Sequence, residues 1–222
     1  MVFQPAVVPG GETVSASISV FGRIAVWLVV AFAAPSGVAQ VDHIGVCRSG
    51  EPRAVIAACS ELLRLMPEAP MPLHRRAAAF VVLGEYEKAL ADYSQILVRQ
   101  PRDAAVRYER AQVYLGQFQF EKAVDDFTIA IVVRPKWAAA LNGRAWAHFK
   151  RSDISAAMID VSAALSYEPD HVAALDTRAH IYERLGNRDL AIADYRRALQ
   201  LEPSHPLAHL SREGLRRLGA SP

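Results

Sequence analysis

Between residues 70 and 205, apolar side chains recur at helical spacing in stretches of about fourteen residues, two for every 34 positions. Proline marks the period most clearly. Pro67, Pro101, Pro135, Pro169 and Pro203 stand 34 residues apart without an insertion. Each ends the second stretch of its segment, because proline lacks the N–H a helix needs and biases the preceding residue away from helix. Gly84 and Gly186 lie between the two stretches of their segments, where a turn is required. A period of roughly 20 to 50 residues is the mark of stacked supersecondary units. The pattern therefore predicts an array of helical hairpins.

The columns carry a family resemblance. Arg76, Ala77 and Phe80, then Ala89, Tyr93 and Pro101, recur as Arg110, Ala111, Tyr114, Ala123, Phe127 and Pro135. They recur again as Arg144, Ala145, His148, Ala157, Val161 and Pro169, and as Arg178, Ala179, Tyr182, Ala191, Tyr195 and Pro203. This resembles the tetratricopeptide repeat, whose pattern is W-x2-L-G-x2-Y, then A-x3-F, then P. The small residues stand where two helices approach closely. The resemblance implies an all-α fold, a right-handed superhelical stack of antiparallel helix pairs. Full units are expected over 70–103, 104–137, 138–171 and 172–205. Residues 40–69 then form a partial leading repeat, and 206–222 a terminal solvating helix with Pro206 in its first turn.

The first forty residues depart from this pattern. Arg23 precedes the uncharged run Ile24–Ala34, followed by Pro35 and by the small residues Gly37 and Ala39. The run holds about a dozen strongly apolar residues, short of the ~20 that span a bilayer. Residues 1–39 are thus expected to be a signal peptide cleaved after Ala39, which leaves no stable membrane span. The alternative is an uncleaved segment anchoring the chain to the inner membrane. Only two cysteines occur, Cys47 and Cys59. In an oxidising compartment they read as one disulfide; the rival is a pair of buried free thiols. Within the repeat pattern Cys59 occupies the column of Tyr93 and Tyr195, so a bridge would staple the incomplete first unit. Exported bacterial members of the family look similar at this end.

Two charged columns share the period. Asp92, Asp126, Asp160 and Asp194 lie on the second helices, and Arg76, Arg110, Arg144, Arg178 and Arg212 on the first helices and the terminal one. Pairing within units leaves Arg212 alone. Pairing forward (Asp92–Arg110, Asp126–Arg144, Asp160–Arg178, Asp194–Arg212) uses every aspartate, so a forward ladder or a bridging arrangement is expected. Acid–base or metal chemistry is not. Carboxylates one per repeat are two interhelical spacings of ~8–10 Å apart, too far to share an ion.

A net charge of +2 is too small to argue for nucleic acid or an anionic membrane surface, and no nucleic-acid partner is expected. No nucleophile elbow, phosphate-binding glycine loop or HExxH is present. His205 and His209 are four apart but lack a third ligand, so neither a metal nor another cofactor is expected, and the chain reads as non-enzymatic. What remains is binding of a protein or peptide. The resemblance implies a concave groove lined by the first helices, to which His74, Arg75, Ala78, Tyr108, Glu109 and Gln112 would contribute. From the later units come Asn142, Trp146, Phe149, Asp176, His180 and Arg184. Trp146 stands out, because its column otherwise holds Ala78, Gln112 and His180 and the fold does not demand an aromatic there. The carboxylate-capturing set of some chaperone-binding relatives is not carried over, since Ala78, Glu109, Ala139 and Gly143 stand where its companions are required. The expected role is an adaptor holding a partner peptide or helix in the groove, in the periplasm. The alternative is a subunit of an envelope assembly that binds through its convex face or end helices.

Overall fold

Each proline-bounded segment folds as an antiparallel pair of helices. The computed structural model describes residues 42–221; the leader, its cleavage after Ala39 and the alternative anchor lie outside the described residues. Among these there are eleven α-helices and no strand. The leading pair is α1 (His43–Ser49) and α2 (Pro52–Leu65). Four full pairs follow: α3 (Pro70–Val82) with α4 (Tyr86–Arg99), α5 (Ala104–Gly116) with α6 (Phe120–Val133), α7 (Ala138–Lys150) with α8 (Ile154–Tyr167), and α9 (Val172–Arg184) with α10 (Arg188–Leu201). The closing helix is α11 (Ala208–Arg217). No helix among the described residues is long and apolar enough to cross a membrane.

Small side chains set the interhelical spacing. Ala77 and Ala89, Ala111 and Ala123, Ala145 and Ala157, and Ala179 and Ala191 are fully buried between the two helices of their pairs. Larger groups from the second helices, Tyr93, Phe127, Val161 and Tyr195, fill the space between successive pairs. Two glycines make room for them. A Cβ on Gly143 would come within 2.4 Å of the Phe127 ring, and one on Gly214 within 2.5 Å of Tyr195. Asp103 and Asp153 cap the starts of α5 and α8 by accepting backbone N–H bonds. At the leading end Cys47 and Cys59 are joined, with Cα atoms 5.0 Å apart, tying α1 to α2.

The stack curves because its two rows are unequally spaced. First helices of successive pairs touch one another (α1 with α3, α5 with α7, α7 with α9, α9 with α11), and no two second helices come as close. The first helices therefore form the inner, concave row.

Candidate functional site: the concave face of the stack

The charged columns lie at the edge of this face and hold it in place. Their pairing differs from the forward ladder. Arg76 meets Asp92, Arg110 meets Asp126, Arg144 meets Asp160 and Arg178 meets Asp194, each through Nε and Nη2 at 2.7–2.8 Å. All four pairs lie within a unit. Arg212 has no aspartate and donates instead to the Pro203 carbonyl at 2.7 Å. The third nitrogen of the fork makes the link between units: Arg76 Nη1 reaches Ser60, Arg110 Nη1 reaches Ser94 and Arg144 Nη1 reaches Thr128, at 2.9–3.2 Å. Helix geometry explains the choice. On α4 the residue facing Arg110 is Ser94, and Asp92, two positions earlier, projects ~200° away, toward α3. Asp126 meets two arginines, because Arg107 of its own unit donates to it at 2.6 Å. The hydroxyl column is legible in the sequence but is outweighed there by the more conspicuous charges.

The inner row carries two side-chain clusters. The first joins α3 to α5. His74 Nε2 lies 2.7 Å from a Glu109 carboxylate oxygen, and the His74 ring sets an edge against Tyr93. The hydrogen bond to Glu109 holds the His74 pKa above its ordinary value. Burial, with Glu109 nearby, pushes the Tyr93 phenol up as well. Tyr108 stacks on Trp137, with ring centres 4.6 Å apart, and sets an edge against Phe127. Much of Tyr108 is therefore committed to packing, and Trp137 is also covered by Arg134. Arg75 and Gln112 are exposed beside this cluster.

The second cluster joins α7 to α9 and α11. Trp146 stacks on Phe149, 5.4 Å between centres, and both rings set edges against His180. Lys150 Nζ lies 4.9 Å from the centre of the Trp146 ring. His180 Nδ1 is 2.9 Å from the Asp176 carbonyl and 3.4 Å from its carboxylate. Burial draws the His180 pKa down, but the bond and charge of Asp176 outweigh it and the net direction is up. Asp176 is only 4% exposed and accepts from Ser211 Oγ of α11 at 2.5 Å. It thus supports His180 from behind instead of lining the groove, contrary to its expected position. Glu183 accepts from Tyr195 and twice from Arg217, and the Arg217 bonds hold its carboxyl below the usual range. Asn142, one turn before Trp146, is partly buried, and its Oδ1 accepts no hydrogen bond from the described protein. Trp146, Phe149 and His180 remain partly exposed, and Arg184 is exposed.

Among the described residues no group of three or more His, Cys, Asp and Glu is placed to hold a metal ion. His205 Nδ1 accepts from the Leu207 N–H, and His209 Nδ1 donates to the Pro206 carbonyl, so both rings serve the entry to α11.

The fold and this face define an all-α array of helix-turn-helix units with a side-chain-rich inner row. Tetratricopeptide repeat profiles match residues 74–132 and 108–170, and a further one matches 172–205. The chain belongs to the tetratricopeptide repeat family. Among solved structures it is similar to MamA (residue 41 to the end) from Desulfovibrio magneticus RS-1, at 19% identity and a TM-score of 0.67, over 74% of this chain and 93% of that one. It is also similar to YrrB, described as a TPR protein with an unusual peptide-binding site, at 18% identity and a TM-score of 0.64, over 77% and 88% of the two chains. A thermophilic TPR protein of Thermus thermophilus, TTC0263, matches at 20% identity and a TM-score of 0.61, over 78% and 95%. At these identities the likeness is one of fold. No curated protein matches the chain by sequence. Arrays of this family serve as scaffolds for protein–protein interaction.

Proposed function

We propose that the concave face holds an extended segment or helix of a partner protein, with no chemistry of its own. The observation that carries this reading is the Trp146 platform. In the inner row, Trp146, Phe149 and His180 present three aromatic rings at one place, partly open to solvent. The stack does not require an aromatic ring at Trp146, since its equivalents are Ala78, Gln112, His180 and Gly214. An aromatic anchor in a groove is the residue type that carries binding energy. YrrB, of the same fold, is described by its peptide-binding site. The periplasm is the proposed location, supported by the Cys47–Cys59 bridge, since disulfides persist in oxidising compartments.

A second reading has its own observation. The outer row exposes Val98 at 81%, Val132 at 68% and Ile159 at 70%, an apolar set that a convex-face assembly contact would cover. One experiment separates the two. The full chain, its Trp146→Ala variant and its Val132→Glu/Ile159→Glu variant are used as baits against envelope extract, with melting curves to verify folding. The groove reading predicts that Trp146→Ala weakens capture by about 2 kcal/mol or more, as truncation of a buried aromatic anchor does, while the outer variant captures normally. Loss only in the outer variant contradicts it.

A further inference from the structure

The charges of the inner row are not balanced in the way the net charge suggests. Three carboxylates lie on the four first helices α3, α5, α7 and α9, and each already has a partner within this chain. Glu109 is held by His74, Asp176 is buried against His180 and Ser211, and Glu183 is held by Arg217 and Tyr195. Four of the inner-row arginines, Arg76, Arg110, Arg144 and Arg178, are spent on the aspartate column, and Arg107 joins them at Asp126. The remaining cations are Arg75, Lys150 and Arg184. None of them makes an ion pair or a hydrogen bond among the described residues. Lys150 and Arg184 occupy the same column of successive units. Lys150 stands over the Trp146 ring, and Arg184 is one turn beyond His180.

We infer that the segment seated on this face is acidic, with an aromatic or bulky apolar side chain anchored at Trp146, Phe149 and His180 and carboxylates directed at Lys150 and Arg184. This deepens the groove reading and rests on it. The apolar anchor would cover the platform, and a neighbouring carboxylate would meet Lys150 without displacing any internal partner. A basic segment has no unpaired carboxylate to meet, because opening Glu109 or Glu183 breaks a bond of the stack. Electrostatic complementarity of this kind fixes partner choice and on-rate more than raw affinity. An extended peptide advances ~3.3 Å per residue, so anchor and acid would be one to a few residues apart. Single-stranded nucleic acid also uses rings and cations, but three isolated cations form no continuous basic track.

The full chain is titrated by fluorescence polarisation with four probes: a glutamate-rich peptide with a central Phe, the same peptide with a central Ala, a lysine-rich peptide with a central Phe, and oligo-dT. The acidic Phe peptide is expected to bind about tenfold or more tighter than the other three, and to weaken as salt rises. Lys150→Glu/Arg184→Glu is expected to lose about tenfold for that peptide and to shift preference toward the lysine-rich one. Equal or tighter binding of the lysine peptide or oligo-dT, no measurable binding of the acidic peptide, or indifference to the double charge reversal overturns the inference. The extract captured above keeps the two levels apart. A partner lost with Trp146→Ala but kept by Lys150→Glu/Arg184→Glu removes the acidic-segment inference and leaves the groove. A partner kept by Trp146→Ala removes both.

Discussion

Arg144 shows how a single side chain ties the stack together. Its guanidinium is a planar fork with donors on two edges. One edge meets Asp160 of its own unit with two bonds of 2.7 Å, and Nη1 reaches Thr128 of the preceding unit at 3.2 Å. Three helices are thus held at one group. Asp160 is 5% exposed, so removing its partner would strand a buried charge. Arg144→Ala is expected to cost about 3 kcal/mol and to lower the melting temperature. A double-mutant cycle checks the pairing: Arg144→Ala with Asp160→Ala should be strongly non-additive, and Arg144→Ala with Asp126→Ala additive within about 0.5 kcal/mol. The reverse result would restore the forward ladder. The two columns were legible from the 34-residue period, but the partner was not. Asp92 lies nearly midway along the chain between Arg76, across the turn at Gly84, and Arg110, across the turn at Pro101, so register alone leaves both pairings open. The angular position of Ser94 decides it, and in the sequence Ser94 is one serine among many.

At the scale of the element, each of the four full helical hairpins has one residue in the left-handed conformation at its turn. Gly84 and Gly186 supply it, each with φ +74°. The two middle units have no glycine there, and Phe118 (φ 59°) and Ser152 (φ 65°) take the conformation instead. An L side chain at such φ costs roughly 1–2 kcal/mol, and glycine gives back part of that gain as chain entropy. Ser152→Gly is therefore expected to stabilise the protein by ~0.5–1 kcal/mol, measured by urea denaturation; a loss of stability would show that the Ser152 side chain contributes more than its backbone costs. The hairpins themselves were readable from proline spacing and apolar periodicity, because those patterns are local. The need for Gly143 was not. Its reason is the Phe127 ring of the preceding pair, a contact between segments that no local pattern encodes.

Across the helical stack of residues 42–221, unequal spacing of the two rows makes one face concave, and Trp146, which departs from its column, lies on that face. Scaffold columns are legible because they repeat. Trp146 was visible as an exception to its column, yet its convergence with Phe149 and His180 depends on how α7 meets α9. Asp176 shows the limit of column counting: it shares a column with His74 and Tyr108, but α11 closes over it and places Ser211 against its carboxylate. Whether a partner lies along the inner row is tested most directly by site-specific photo-crosslinking. Gln112 is exposed on the inner row and Val132 on the outer one. With a photoreactive amino acid at one position or the other in the full chain, a crosslinked partner is expected from position 112 and none from position 132. A crosslink from 132 with none from 112 would contradict the groove reading.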